Sequence, residues 1–344
     1  MEHLAIDLGG RESQICVRDT EGTILEEKRC PTASLKKYLA GRPQSRVVLE
    51  TCAEAFAVAE AARGLGHDVK VVPATLVRAL GVGARGLKTD VRDARNLSEA
   101  SCRMARLPAV HIPSAGSRER KSICGLRENL VEVRTKLVNG VRGWMRSEGL
   151  GTIRTGCPES LPSRVIEHLK QREREVPPWV SRNLTTIDHL SKQVGEADAE
   201  LRRLARADPT CRRLMTVPGV GPVTAVRFAA AVDDVSRFSS AHALESYLGL
   251  TPGERSSGER QHSTGITKAG SPKLRWTLIQ AAWSAWRHRR QDPMVLWALR
   301  VQERRGKTIA VVALARKMAG ILFALWRDGS AYDPKHQTGE VEMA

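Results

Sequence analysis

Acidic residues are in short supply in this chain of 344 residues: 38 Asp and Glu face 55 Lys and Arg, a net charge of +17. That deficit argues against a cationic partner and for a polyanion, most simply nucleic acid. Paired cysteine motifs are missing as well. The seven cysteines are scattered, odd in number and never spaced as Cys-x-x-Cys. This argues against a zinc ribbon or a disulfide framework and for a reducing, cytoplasmic setting. The first residues lack the charged and apolar regions of a signal peptide. The most membrane-like run, Ile309 to Trp326, is broken at its middle by Arg316 and Lys317. It reads as a buried amphipathic helix, and no membrane partner is expected.

What is present is unevenly distributed. Residues 1–110 hold 17 Lys and Arg against 14 Asp and Glu, whereas the remainder holds 38 against 24. Phosphate contacts therefore belong mostly to the last two-thirds, and the first third keeps the acids that a metal-using site requires. The opening is strand-rich. Leu4 to Asp7, Gln14 to Arg18 and Thr23 to Glu27 read as a β-meander, Arg46 to Glu50 and Val69 to Val72 as two more strands. A helical pattern over Ala53 to Leu65 lies between the last two, and another covers Thr89 to Met104. The expectation is an α/β sheet domain over 1–110.

A helical middle follows over 111–208. Ile123, Leu126, Leu130, Val133, Leu137, Val141 and Trp144 recur at intervals of three and four, as one apolar stripe on a long helix. After a Gly/Pro-rich break at Gly149 to Pro162, Ile187, Leu190, Val194, Leu201 and Leu204 mark a second long helix. Such a pair suits an antiparallel arm, a dimerising coiled coil or a plain helical linker. From 209 to 344 the chain is helical and basic. Val217-Pro218-Gly219-Val220-Gly221-Pro222 has the form of a helix-hairpin-helix turn, in which Gly219 and Gly221 would let backbone N–H groups approach a phosphate.

Two constellations carry chemistry. Asp7 and Glu50 each close a strand, and Asp90 and Asp93 share one helical face. In an RNase H-like sheet the first and fourth strands are neighbours, so these acids would converge. Clustered carboxylates do not stay ionised together without cations, and one or two Mg²⁺ or Mn²⁺ ions on oxygen ligands resolve the repulsion. The second constellation is Ser256-Ser257-Gly258, surrounded by Arg255, Arg260, Lys268, Lys273 and Arg275. A hydroxyl in that positive field could attack a phosphodiester, or the segment could be a turn that only touches phosphates.

Taken in order, these motifs resemble a known family. Ala5-Ile6-Asp7, Leu49-Glu50-Thr51 and Lys88-Thr89-Asp90-Val91-Arg92-Asp93-Ala94 look like the DEDD transposases of bacterial insertion sequences, which carry an RNase H-like (RuvC-like) domain. So do Val217 to Pro222, Tyr247 to Pro252, Ser256-Ser257-Gly258, Ile266 to Gly270 and Leu274-Arg275. The resemblance implies an acidic tetrad of Asp7, Glu50, Asp90 and Asp93 that binds Mg²⁺ or Mn²⁺. It also implies a catalytic serine at Ser257, with Ser256 the alternative. Implied partners are donor and target DNA, a structured noncoding guide RNA from the element itself, and further copies of the chain in a dimer or tetramer. Pro272 departs from the family pattern before Lys273-Leu274-Arg275, yet proline is acceptable in a helix's first turn. No base-reading helix or finger is evident, which suits a protein that leaves sequence to base pairing. The rivals are a RuvC-like junction resolvase without serine chemistry, an ATPase (Asp7-Leu8-Gly9-Gly10 resembles the first phosphate loop of the sugar-kinase and actin-like group), and an architectural DNA binder.

Overall fold

Alternation of apolar residues builds the N-terminal sheet. The computed structural model describes residues 1–77, 89–153, 157–257 and 260–337, without the side chains at 77, 254–257, 260–263, 336 and 337. The chain divides into two compact units, Met1–Ser114 and Ala115–Ala344. In the first, strands β1 (His3–Asp7), β2 (Glu12–Arg18), β3 (Ile24–Pro31), β4 (Arg46–Glu50) and β5 (Asp68–Val72) form one sheet of order β3-β2-β1-β4-β5. β1 runs antiparallel to β2 and parallel to β4, so the first and fourth strands are neighbours.

Each face of this sheet has its own cover. Leu4, Ile6, Ile15, Val17, Val47, Leu49, Val69 and Val71 pack with α1 (Leu35–Ala40) and α2 (Ala55–Gly64). The intervening Ala5, Val48 and Val72 pack against Leu97 and Ala100 of α4 (Asp90–Arg103). The short α3 (Ala74–Val77) follows β5. Every strand residue in these two cores is at most 7% exposed, and each fully buried Val, Leu or Ile contributes about 1.5–3 kcal/mol. The third strand and α1 extend beyond the sequence expectation. β3 is mostly exposed and polar, so no hydrophobic alternation marks its end.

In the C-terminal unit, α5 (Ala115–Ser147) and α7 (Pro178–Ala207) are the two long helices, and they pack on each other. α6 (Leu161–Lys170) closes one end of the pair through Leu161, Val165 and Leu169, packed with Val138, Val141, Met145, Val180, Leu184 and Ile187. At the other end, Cys124, Leu201 and Ala205 enter the core of the remaining helices. These are α8 (Pro209–Leu214), α9 (Pro222–Val232), α10 (Ala241–Tyr247), α11 (Pro272–His288), α12 (Pro293–Arg305) and α13 (Lys307–Asp328). The middle and C-terminal segments thus share a core and fold as one unit.

The apolar stripe expected on α5 does not stay buried along its length. Val141 is inside, but Leu126 is 66% and Val133 46% exposed, while Cys124, Arg134, Val138 and Met145 take the covered seam. A pair of helices covers a narrower seam than the broad stripe of a core-facing helix, so part of the stripe is left outside. α13 is long and apolar enough to cross a membrane, but it serves here as a core helix. Leu314, Met318, Leu322 and Phe323 are buried, and the interrupting Arg316 donates to Glu245 Oε2 at 2.6 Å.

Candidate active site

Strand parity aims two carboxylates at the same space. Leu4 and Ile6 point into the α1/α2 core and Ala5 toward α4, so Asp7 falls on the α4 side. By the same parity Val48 places Glu50 there too. The parallel register pairs Ile6 with Leu49, so Asp7 and Glu50 end adjacent strands side by side. Both are half-buried.

α4 brings the third acid. Ser101 Oγ lies 2.7 Å from His3 Nδ1, and Ser98 Oγ accepts from Arg18 Nε at 2.9 Å, which anchors the end of α4 at the start of β1. Back from Ser101 to Asp93 the helix advances about 12 Å, and from His3 to Asp7 the strand advances about 13 Å. α4 therefore runs opposite to β1 and delivers Asp93 to the level of Asp7. Asp93 is 1% exposed and its Oδ1 is sealed from solvent. Asp90 stands one turn earlier and is exposed. Thr89 starts the helix by accepting from Arg92 N at 3.3 Å, and the two acids in the first turn suit its positive end.

Fold and register gather Asp7, Glu50 and Asp93 at one end of the sheet, with Asp90 at its margin. Among the described residues, however, no three His, Cys, Asp or Glu side chains stand close enough to hold a metal ion. The donor set is all carboxylate oxygen, which fits Mg²⁺ or Mn²⁺ in kind, and the shell is not closed in this conformation. Gly9-Gly10 follows Asp7, and the turn it forms needs the first glycine. A Cβ on Gly9 would lie 2.4 Å from the Glu12 carbonyl oxygen, so the chain leaves β1 in a bend too tight for a side chain.

The serine segment is a β-hairpin rather than a loop. β6 (Pro252–Ser257) pairs antiparallel with β7 (Arg260–Ile266), with Ser256 opposite Gln261 and Ser257 opposite Arg260. Gly258 and the side chains of Arg255, Ser256, Ser257 and Arg260 lie outside the described residues. The root of the hairpin is tightly built. Gly249 (φ +68°) would place a Cβ 2.2 Å from the Ala269 carbonyl oxygen, and Gly270 (φ +67°) would meet the Tyr247 carbonyl oxygen at the same distance. Thr267 N donates to Thr251 O at 2.9 Å and Lys268 N to Gly249 O at 3.2 Å, tying the entering strand to the leaving one.

Several cations expected on phosphate have other work. Arg275 is 8% exposed and donates to the carbonyls of Leu248, at 3.0 Å, and Ala269, at 2.6 Å. It clamps the hairpin root rather than facing solvent. Lys273 Nζ lies 3.0 Å from Glu128 Oε2 and 3.8 Å from Glu132 Oε1. Gly219 is needed for packing: a Cβ there would lie 2.2 Å from the Ala281 carbonyl oxygen. Gly221 begins α9 with open space where a Cβ would be, and Lys268 is exposed at φ +57°. Pro272 opens α11 behind the Ser271 cap, a position where its missing N–H costs nothing.

A sequence-family profile described as a transposase matches residues 4–148, the stretch holding Asp7, Glu50, Asp90 and Asp93. A second, described as transposase IS116/IS110/IS902 family, matches residues 211–294, from α8 through the hairpin to the start of α12. The chain belongs to the IS116/IS110/IS902 family of transposases. It is 29% identical over 327 residues to the transposase for insertion sequence element IS1111A of Coxiella burnetii, covering 94% of this chain and 88% of that one. It is 28% identical over 341 residues to the transposase for insertion sequence element IS1328 of Yersinia enterocolitica, covering 96% and 98%. A Streptomyces coelicolor protein of insertion element IS110 is 25% identical over 336 residues, covering 82% and 81%. In this transposase the two matched segments carry the two constellations; the stretch between them, 149–210, holds α6 and α7.

Proposed function

We propose that this transposase moves an insertion sequence by cutting and rejoining DNA, with Asp7, Glu50, Asp90 and Asp93 holding Mg²⁺ or Mn²⁺ and Ser257 as the nucleophile. The observation that carries the reading is the convergence of Asp7 and Glu50 on adjacent strand ends beneath the helix turn that bears Asp93. An all-carboxylate donor set at one sheet end is of the kind that takes a divalent cation through oxygen. The ion, when bound, would stabilise charge on the phosphate and its leaving oxygen.

The serine step balances as a phosphoryl transfer. The Ser257 Oγ–H gives its proton to a general base and forms an Oγ–P bond, while one P–O ester bond of the DNA breaks and its oxygen takes a proton from a general acid to leave as an alcohol. Attack by a hydroxyl of the partner strand reverses the step and releases the serine. Sequence is left to a structured RNA encoded by the element, and the chain works as a dimer or tetramer. Support for guidance comes from the excess of basic residues in the last two-thirds and from the want of a base-reading helix in the sequence.

The test is to incubate donor DNA with the full chain and its copurifying RNA, then denature and look for protein covalently joined to DNA. Ser257→Ala removes the adduct and strand exchange; a metal-only endonuclease keeps cleaving after that change. Recovery of only random cellular RNA with the purified protein contradicts guidance.

A further inference from the structure

Part of the basic surplus of the C-terminal unit is taken up inside the fold. Arg275 is buried on carbonyls and Lys273 is paired with Glu128, while Arg227, Arg127 and Arg120 are held by Glu128, Asp198 and Asp208. Exposed cations gather instead at the corner where α11 ends and α12 turns into α13. Arg287, Arg289 and Arg290 come from the first segment and Arg304, Arg305 and Lys307 from the second, and all six are exposed.

Trp283 joins the two segments. Arg287 Cζ lies 5.6 Å from its ring centroid and Lys307 Nζ 5.3 Å. The ring face attracts both cations and so holds like charges together that would otherwise separate. Opposing charge is sparse. Asp292 caps α12 at Met294 N and accepts from the Tyr332 hydroxyl at 2.8 Å, and the first turn of α13 has no acid. Glu303 is the acid next to the arginines on α12. Among the described residues none of the six forms an ion pair.

We propose that this corner binds the phosphate backbone of duplex DNA, as a surface separate from the serine hairpin. It rests on reading DNA as the substrate of this transposase. Six exposed cations against the two acids of this stretch, Asp292 and Glu303, match a polymer that carries about one negative charge per 1.7 Å of axis. Arginines and a lysine spread over two helix ends read charge rather than base edges, so the surface is indifferent to sequence.

The test uses the full chain and measures affinity for unrelated DNA duplexes across a series of salt concentrations. Combining Arg304→Gln, Arg305→Gln and Lys307→Gln should lower the slope of log K against log salt by about three, one for each phosphate left without its cation. Arg304→Lys, Arg305→Lys and Lys307→Arg together keep the charge and should keep the slope, as a role in folding alone would not predict. Asp7→Asn should bind DNA with the wild-type slope whatever it does to cleavage, which separates failure here from failure of the catalytic reading. An unchanged slope in a folded Gln variant overturns the proposal. So does a loss confined to structured RNA, with duplex DNA affinity intact.

Discussion

The acid end of the N-terminal sheet and the hairpin root of the C-terminal unit place polar groups by opposite rules. At the sheet end, acids share one side: Asp7 and Glu50 finish neighbouring strands, and α4 carries a buried Asp93 on the same face of the sheet. At the hairpin root, unlike partners are matched: Arg275 bridges two carbonyls, and deeper in the same unit Arg227 on α9 reaches Glu128, Thr277 and the Cys124 carbonyl. The first arrangement is the one proposed for chemistry. The second holds the fold. Substitutions should therefore separate activity from stability differently in the two places.

The largest effect belongs to the acids. Glu50→Gln or Asp93→Asn should cost several kcal/mol of transition-state stabilisation, roughly a thousandfold in strand cleavage, while the melting temperature holds. A melting temperature that falls along with activity would place these acids in the fold's support instead. Next is Arg275→Ala, which strands the buried Leu248 carbonyl and frees that of Ala269, and should lower unfolding free energy by about 1–3 kcal/mol in urea titrations. Arg275→Lys should recover part of that loss, since an ammonium group still reaches one carbonyl. Gly249→Ala should cost more than about 1 kcal/mol through the left-handed backbone and the clash with Ala269.

The smallest effect is electrostatic. Burial pushes the Glu128 carboxyl up, but hydrogen bonds from Lys273 and Arg227 outweigh it and hold the group below its usual range. A depressed folded pKa gives stability that is present above the unfolded value of about 4.3 and is lost as pH falls through the folded one. Wild type should lose more stability than Glu128→Gln when urea midpoints at neutral pH are compared with those well below pH 4. Equal losses would mean the pair adds nothing.

The strand ends that carry Asp7 and Glu50 were legible because each closes a short apolar run. An acid that ends Leu4-Ala5-Ile6 on the same parity as Ala5 has one face to choose, and Glu50 repeats the pattern. The cations were not legible. Arg275 and Arg289 carry the same group in sequence, and only tertiary packing decides that one is spent on Leu248 and Ala269 while the other is exposed. Leu126 and Val133 misled for a related reason: periodicity shows that a helix has an apolar stripe, not how much of it a partner covers. The hairpin was hidden by its composition, since Gly, Ser, Arg and Glu over 253–260 read as a turn.

Anomalous diffraction from crystals of the full chain grown with Mn²⁺ tests the central claim most directly. The account predicts a peak bounded by the carboxylates of Asp7, Glu50 and Asp93, weakened or gone in Asp93→Asn. Ordered carboxylates with no peak among them, or a peak that survives the substitution unchanged, would contradict it.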